Sequence, residues 1–172
     1  MTIRVGILTI SDAGSRGERA DTSGDAIAAW ASARGYALAE RALVPDESGR
    51  IVAALCDWCD RDAADLVLTT GGTGLSARDV TPEATRAVIE RDAPGIAERI
   101  RLVSLADFPR AALSRGLSGV RNKTLIVNLP GSNGGVKDGL AALELIVDHA
   151  ITVLRSEHVE HDAASRPPTA AR

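Results

Sequence analysis

"LVLTTGGTGLSARDVTPEAT", Leu66 to Thr85, passes from a short apolar strand through three glycines to a marked helix start. Leu66 to Leu68 is too short for a helix and fully apolar, as a strand covered on both faces would be. Thr81-Pro82 offers a capping hydroxyl followed by proline at the first helical position. A strand, a glycine loop and a helix in succession form the repeating unit of an α/β fold.

The flanking sequence repeats the unit. Ile3 to Ile10 is a nearly continuous apolar run that ends in the polar loop "SDAGSRGERADTSGD". Asp21 or Ser23 can cap a helix bearing Ile27, Trp30 and Ala31, which Gly35 stops. Tyr36 to Val44 reads as a second strand, broken by Pro45-Asp46, and Ile51, Leu55 and Trp58 mark a second helix. Pro94-Gly95 opens another helix with Ile96, Ile100 and Val103 near one face, and Ala106 to Ser118 reads as short helix and loop. "GVRNKTLIVNLPGS" predicts a small hairpin before the last apolar strand, Thr124 to Leu129.

Val136, Leu140, Leu143, Val147, Ala150 and Leu154 predict one long, largely buried final helix, its stripe widened by Leu145, Ile146 and Ile151. The expected architecture is an α/β three-layer sandwich with a mostly parallel central sheet. A single domain spans 1–155, and the small, proline-bearing tail 156–172 reads as disordered.

Composition narrows the function. Net charge is -3 and aromatics make up 2% of the residues, so neither a basic field nor a stacking platform favours nucleic acid. No apolar run is long enough to span a bilayer, and "MTIRVGILTI" lacks a signal-peptide layout, so cytoplasm is the expected location and no membrane partner is expected. Cys56-Asp-Trp-Cys59 falls in the later turns of a helix rather than at its N-terminus, which favours packed free thiols over redox chemistry. His149, His158 and His161 lie away from the glycine loops, which argues against histidine-based nucleophilic catalysis.

Ligands of open α/β sheets bind outside the carboxyl ends of the strands. Four loops leave such ends here: "TISDAGSRGE", "LVPDE", "TTGGTGLSARD" and "NLPGSNGGVKD". Gly71 to Gly74 lets backbone N–H groups approach an anion, with Thr69, Thr70 and Thr73 adding hydroxyls. The helix start near Thr81 can direct its dipole at a phosphate. Gly72-x-Gly74-x-x-Ala77 fits the dinucleotide pattern formally, but it follows the third strand and does not open a helix directly. Asp12, Asp46 and Asp79 each sit just past a strand end. Carboxylates beside a phosphate loop suit Mg2+, which takes one or two carboxylates plus substrate phosphates. Arg16, Arg19, Arg78 and Lys137 are candidate phosphate partners. The set points to phosphoryl or nucleotidyl transfer to an acceptor that is already anionic.

Together, "TISD", "LVPDE", "TTGGTGLSARDVTPEAT" and "NLPGS" resemble the MogA/MoaB family of molybdenum cofactor biosynthesis proteins, from about Ile3 to Leu154. The resemblance implies a molybdopterin-binding α/β sandwich assembled as a homotrimer or hexamer. MogA-type members are molybdopterin adenylyltransferases, which transfer AMP from Mg-ATP to the terminal phosphate of molybdopterin and release pyrophosphate. MoaB-like members share the fold, and some bind the pterin without this activity. Carried over position by position, the resemblance implies catalytic, Mg2+-linked roles for Asp46 and Asp79. It implies that Ser11, Asp12, Gly71, Gly72, Thr73, Gly74, Thr81, Pro130, Gly131 and Ser132 bind molybdopterin or ATP. A molybdate-insertion protein is the implied downstream partner.

Overall fold

The computed structural model describes residues 2–156; the expected disordered tail, with His158 and His161, lies outside them apart from Ser156. Six strands form one sheet in the order β2-β1-β3-β6-β5-β4. They are β1 (Arg4–Ile10), β2 (Ala37–Val44), β3 (Leu66–Thr70), β4 (Arg91–Asp92), β5 (Ser118–Arg121) and β6 (Thr124–Leu129). The first three and β6 run parallel, and β5 and β4 complete one side antiparallel. Thus β5 and β6 are the expected hairpin, turning at Asn122 with a φ of 52°.

Helices cover both faces. On one lie α2 (Thr22–Ala33), α5 (Pro94–Leu105), α6 (Asn133–Glu144) and α7 (Val147–Arg155), whose Ile27, Ile100, Leu140, Leu143 and Ile151 meet Val5, Ile7, Leu68 and Val127. On the other, α3 (Ser48–Asp60) and α4 (Thr81–Val88) pack Ile51, Leu55, Trp58 and Val88 against Leu8, Val67 and Ile126. This is the expected three-layer sandwich. All residues of β3 and β6 are buried, because both of their faces are covered. Each fully buried leucine or isoleucine contributes about 1.5–3 kcal/mol. Among the described residues no helix is long and apolar enough to cross a membrane.

The ends of the parallel strands are in step: Ile10 pairs with Val44, Thr9 with Thr70, and Thr70 with Leu129. That register brings the four loops to one edge.

Three local expectations change. The final helix is two helices, because Ile146 at φ -132° leaves helical geometry and its N–H closes on the Leu143 carbonyl at 2.9 Å. Leu145 at the break is 77% exposed, so it does not widen the buried stripe. Val147 and Ile151 still reach the same core, so the apolar period continues through the break and conceals it. The polar loop after β1 contains a short helix, α1 (Asp12–Ser15), capped by Ser11, whose Oγ accepts from Gly14 N at 3.0 Å. Thr81 is the first residue of α4 rather than its cap; Val80 holds the cap position without a side-chain bond.

An ionic clasp fixes the end of α7 opposite the loops. Asp65, 1% exposed, accepts from Arg4 and pairs with Arg155, while Asp62 takes both Arg155 and Arg4. Arg155 and Arg4 hold the Asp62 carboxyl at about 2. Burial pushes the Asp65 carboxyl up, but hydrogen bonds from Arg4 outweigh it and the net shift is downward. Depressed folded pKa values give stability that is present above the unfolded carboxylate range and lost as pH falls through the folded values. Urea midpoints should therefore drop between about pH 4 and pH 2. Asp62 is largely exposed and screened, so the buried Asp65 pair carries most of this. Arg155→Ala should cost about 1.5–3 kcal/mol at neutral pH, since Arg4 still partners Asp65, and partly flatten the acid limb; an unchanged pH profile would show that Arg155 contributes nothing to the clasp.

Candidate active site

Strand order makes the crevice. From β1 the chain crosses to β2 on one side, then returns to β3 on the other, so the loops after β1 and β3 diverge above adjacent strands. A cavity of ≈ 410 Å³ opens there, lined by Ile10, Ser11, Asp46, Gly71, Gly72, Asp79, Gly131 and Ser132 among others. All four strand-end loops contribute, as the sequence predicts. A second cavity of ≈ 730 Å³ shares Gly72, Asp79, Gly131 and Ser132 with it. Thr73, Gly74 and Pro130 line this second space, and Phe108, Arg110 and Leu113 close its far wall. Nothing in the sequence marks that wall, which comes from a 3-10 segment, Pro109–Leu113, and the residue before it.

The loop Gly71 to Val80 is held tightly to its neighbours. Gly71 and Gly72 adopt φ values of 99° and 63°, in the region where side chains are strained. A Cβ on Gly71 would stand 2.2 Å from the Ile10 carbonyl oxygen, so the turn lies directly on the end of β1. The Thr70 hydroxyl donates to the Pro130 carbonyl at 2.8 Å, tying in the "NLPGS" loop. Thr81, predicted to bind ligand, is fully buried and lines neither cavity. Its hydroxyl donates to the Gly71 carbonyl at 2.8 Å and its N–H to the Gly72 carbonyl at 3.1 Å. Thr81 therefore supports the turn, and the first N–H of α4 is already used. The helix that starts at the site is α6, capped by Ser132, whose Oγ accepts from Gly135 N at 3.2 Å.

The aspartates fall into two arrangements. Asp12 N donates to Asp46 Oδ2 at 2.8 Å, and Asp46 N to Asp12 Oδ1 at 3.0 Å, so these two latch the first and second loops together. Arg78 grips Asp12 through Nε at 3.0 Å and Nη2 at 2.8 Å. The Arg78 guanidinium, with the Asp46 N–H, holds the Asp12 carboxyl below its usual range; burial raises that of Asp46. Asp79 Oδ2 accepts from Ser76 N at 2.8 Å within its own loop. Asp12 lines neither cavity, whereas Asp46 lines the first and Asp79 both.

Gly72 and Gly74 make room for these carboxylates. A Cβ on Gly72 would stand 3.0 Å from Asp46 Oδ1, and one on Gly74 would stand 2.9 Å from Asp79 Oδ2. Among the described residues no group of three or more His, Cys, Asp or Glu could hold a metal ion. Asp46 and Asp79 on a shared cavity instead fit Mg2+ that arrives with phosphate oxygens completing its ligands.

The predicted cations divide. Arg16 pairs with Glu18 and Arg78 with Asp12, so neither is a free phosphate partner. Lys137 is exposed and lines neither cavity. Arg19 lines the first cavity, beside Asp21, Thr22 and Ser23 at the start of α2. The dinucleotide pattern fails on geometry, since Ala77 lies in the loop and α4 begins only at Thr81. Cys59 is buried, its thiol pushed up to about 11 by that burial, and both cysteines are free, as expected of packed thiols. His149 lies on α7 and lines neither cavity.

A family described as "Probable molybdopterin binding domain" matches residues 6–149. The molybdopterin adenylyltransferase of Escherichia coli (strain K12) is 38% identical, over 99% of this chain and 97% of its own length. The molybdopterin adenylyltransferase of Helicobacter pylori (strain J99) is 39% identical, over 92% of each chain. Among solved structures, the molybdopterin biosynthesis enzyme MoaB from Thermus thermophilus is 50% identical with a TM-score of 0.84. That match covers 89% of this chain and 96% of the other.

Proposed function

The chain belongs to the molybdopterin-binding domain family of molybdenum cofactor biosynthesis, and we propose that it is a molybdopterin adenylyltransferase. The activity resides in one domain, residues 1–155. The terminal phosphate of molybdopterin attacks the α-phosphorus of ATP, a new P–O–P bond forms, and pyrophosphate leaves. The observation that carries this reading is the pair of adjoining cavities meeting at Gly72, Asp79, Gly131 and Ser132. Two phosphate-bearing substrates need such a junction.

The roles follow from position. The glycine turn, Gly71 to Gly74, and the Pro130, Gly131 and Ser132 loop form the walls between which the phosphates lie. Ser11 contributes from the end of β1, and Thr81 acts from beneath the turn. Asp46 and Asp79 would hold the Mg2+ that accompanies ATP, which when bound would supply neutralisation of the triphosphate charge. Asp12 keeps Asp46 in place through their reciprocal backbone bonds. A phosphate acceptor is already ionised, so no general base is required. Among the described residues no histidine lines either cavity.

Purified protein incubated with molybdopterin and Mg-ATP should release pyrophosphate in step with adenylylated pterin. Pterin binding without an ATP-dependent product would overturn the enzyme reading in favour of a pterin-binding protein of the MoaB-like kind. Assembly into a homotrimer, or a hexamer, belongs to the same proposal, as do a cytoplasmic location and a molybdate-insertion partner downstream. Exposed Leu102, Val103 and Leu105 on α5 support contact between copies, which sedimentation equilibrium would measure.

A further inference from the structure

One side chain outside the four loops holds the glycine loop from behind. Arg115 lies between the 3-10 segment and β5. Its Nε donates to the Gly74 carbonyl at 2.7 Å and its Nη2 to the Asp79 carbonyl at 2.6 Å. Its Nη1 pairs with Glu83 in the first turn of α4. The Arg115 backbone N–H also donates to the Thr73 carbonyl at 2.8 Å. One residue therefore fastens the loop at its glycine end, at its aspartate end and at the helix that follows.

Between those anchors the loop has one other tie to the rest of the fold, the Arg78 side chain on Asp12. Leu75, Ser76, Ala77 and Arg78 are exposed. The local bonds are those from Ser76 N to Asp79 Oδ2, from Asp79 N to the Ser76 carbonyl at 3.0 Å and from Arg78 N to Ser76 Oγ at 3.3 Å. Arg115 lines neither site cavity. A planar guanidinium can serve two carbonyls and a carboxylate at once, whereas an ammonium is a single point of charge.

We infer that Arg115 is a positioning residue for adenylyl transfer, fixing the backbone of Asp79 against the glycine turn so that its carboxylate stands where the two cavities meet. This rests on the adenylyltransferase reading. Because misplacement of a reacting group by about 1 Å costs on the order of 10²-fold in rate, the guanidinium should act through kcat.

The test compares wild type, Arg115→Ala and Arg115→Lys by pyrophosphate release, with kcat and KM separated, and by amide hydrogen exchange. Arg115→Ala should lower kcat about 10²-fold with the pterin KM changed by less than about threefold. Amides of residues 74–79 should lose protection while those of β1, β3 and β6 keep theirs. Arg115→Lys should recover less than about a tenth of the rate, and added methylguanidinium should restore part of the Arg115→Ala rate. If wild type turns over and Arg115→Ala keeps its kcat, the inference is overturned and the enzyme reading stands. Protection lost throughout the sheet would assign Arg115 a general structural role and overturn it equally. A wild-type chain that releases no pyrophosphate overturns the enzyme reading, and this inference with it.

Discussion

Asp79→Asn should abolish adenylyl transfer, lowering kcat by about 10³-fold or more, while molybdopterin binds within a few-fold of wild type. Asparagine preserves the size of the side chain and its ability to accept the Ser76 N–H, so the loop keeps its shape. What disappears is the negative charge at the junction of the two cavities. In phosphoryl and nucleotidyl transfer the protein contributes mainly positioning and charge neutralisation, so loss of a carboxylate proposed to hold Mg2+ should remove a large share of catalysis. Pyrophosphate release gives kcat, and pterin titration gives the dissociation constant. Full activity in Asp79→Asn would show that the carboxylate has no role in the chemistry. Asp12→Asn should do much less, since Asp12 lines neither cavity and is already committed to Arg78 and Asp46.

Sequence and structure agree best where information is local. β1, β3 and β6 are legible as apolar runs because strands buried on both faces need no polar alternation. The polar, partly exposed β2 is legible chiefly from its place between Gly35 and Pro45, since as an edge strand it leaves Leu38 half exposed. The four loops are legible as one edge, since parallel strands in register must end together. Partners within that edge are not. Arg78 looks like a free cation until Asp12 is placed opposite it, and Thr81 looks like a cap until Gly71 lies above it. Arg115 stands 36 positions beyond Asp79, next to no motif, and only the folded chain sets it behind the glycine loop. Asn128, in the "NLPGS" motif, is a further case. Its side chain bonds Thr69 and Thr85 beneath the loop, so its part in the motif is to hold β6 to β3 and α4.

The glycines of the turn should separate folding from chemistry. Gly71→Ala should destabilise the protein by about 3 kcal/mol or more, because a buried clash adds to positive-φ strain. Its Cβ would meet the Ile10 carbonyl oxygen at 2.2 Å, and backbone at the end of an inner strand, paired to its neighbour, cannot swing aside. The urea midpoint should fall with an unchanged m-value. Gly49→Ala supplies the control, since nothing lies within 4 Å of its Cβ on α3; it should raise stability by roughly 0.5–1 kcal/mol. Equal midpoints for the two variants would show that the close approach of Gly71 to β1 costs nothing to fill. Gly72→Ala differs in kind. Its Cβ would meet Thr81 Oγ1 at 2.4 Å and Asp46 Oδ1 at 3.0 Å, both on side chains that can rotate. The rotation that relieves the clash moves Asp46 and breaks the Thr81 support of the turn, so this variant should lose less stability than Gly71→Ala but most of its activity. At Gly71 the absent side chain lets the sheet close, and at Gly72 it lets the carboxylate reach the cavity.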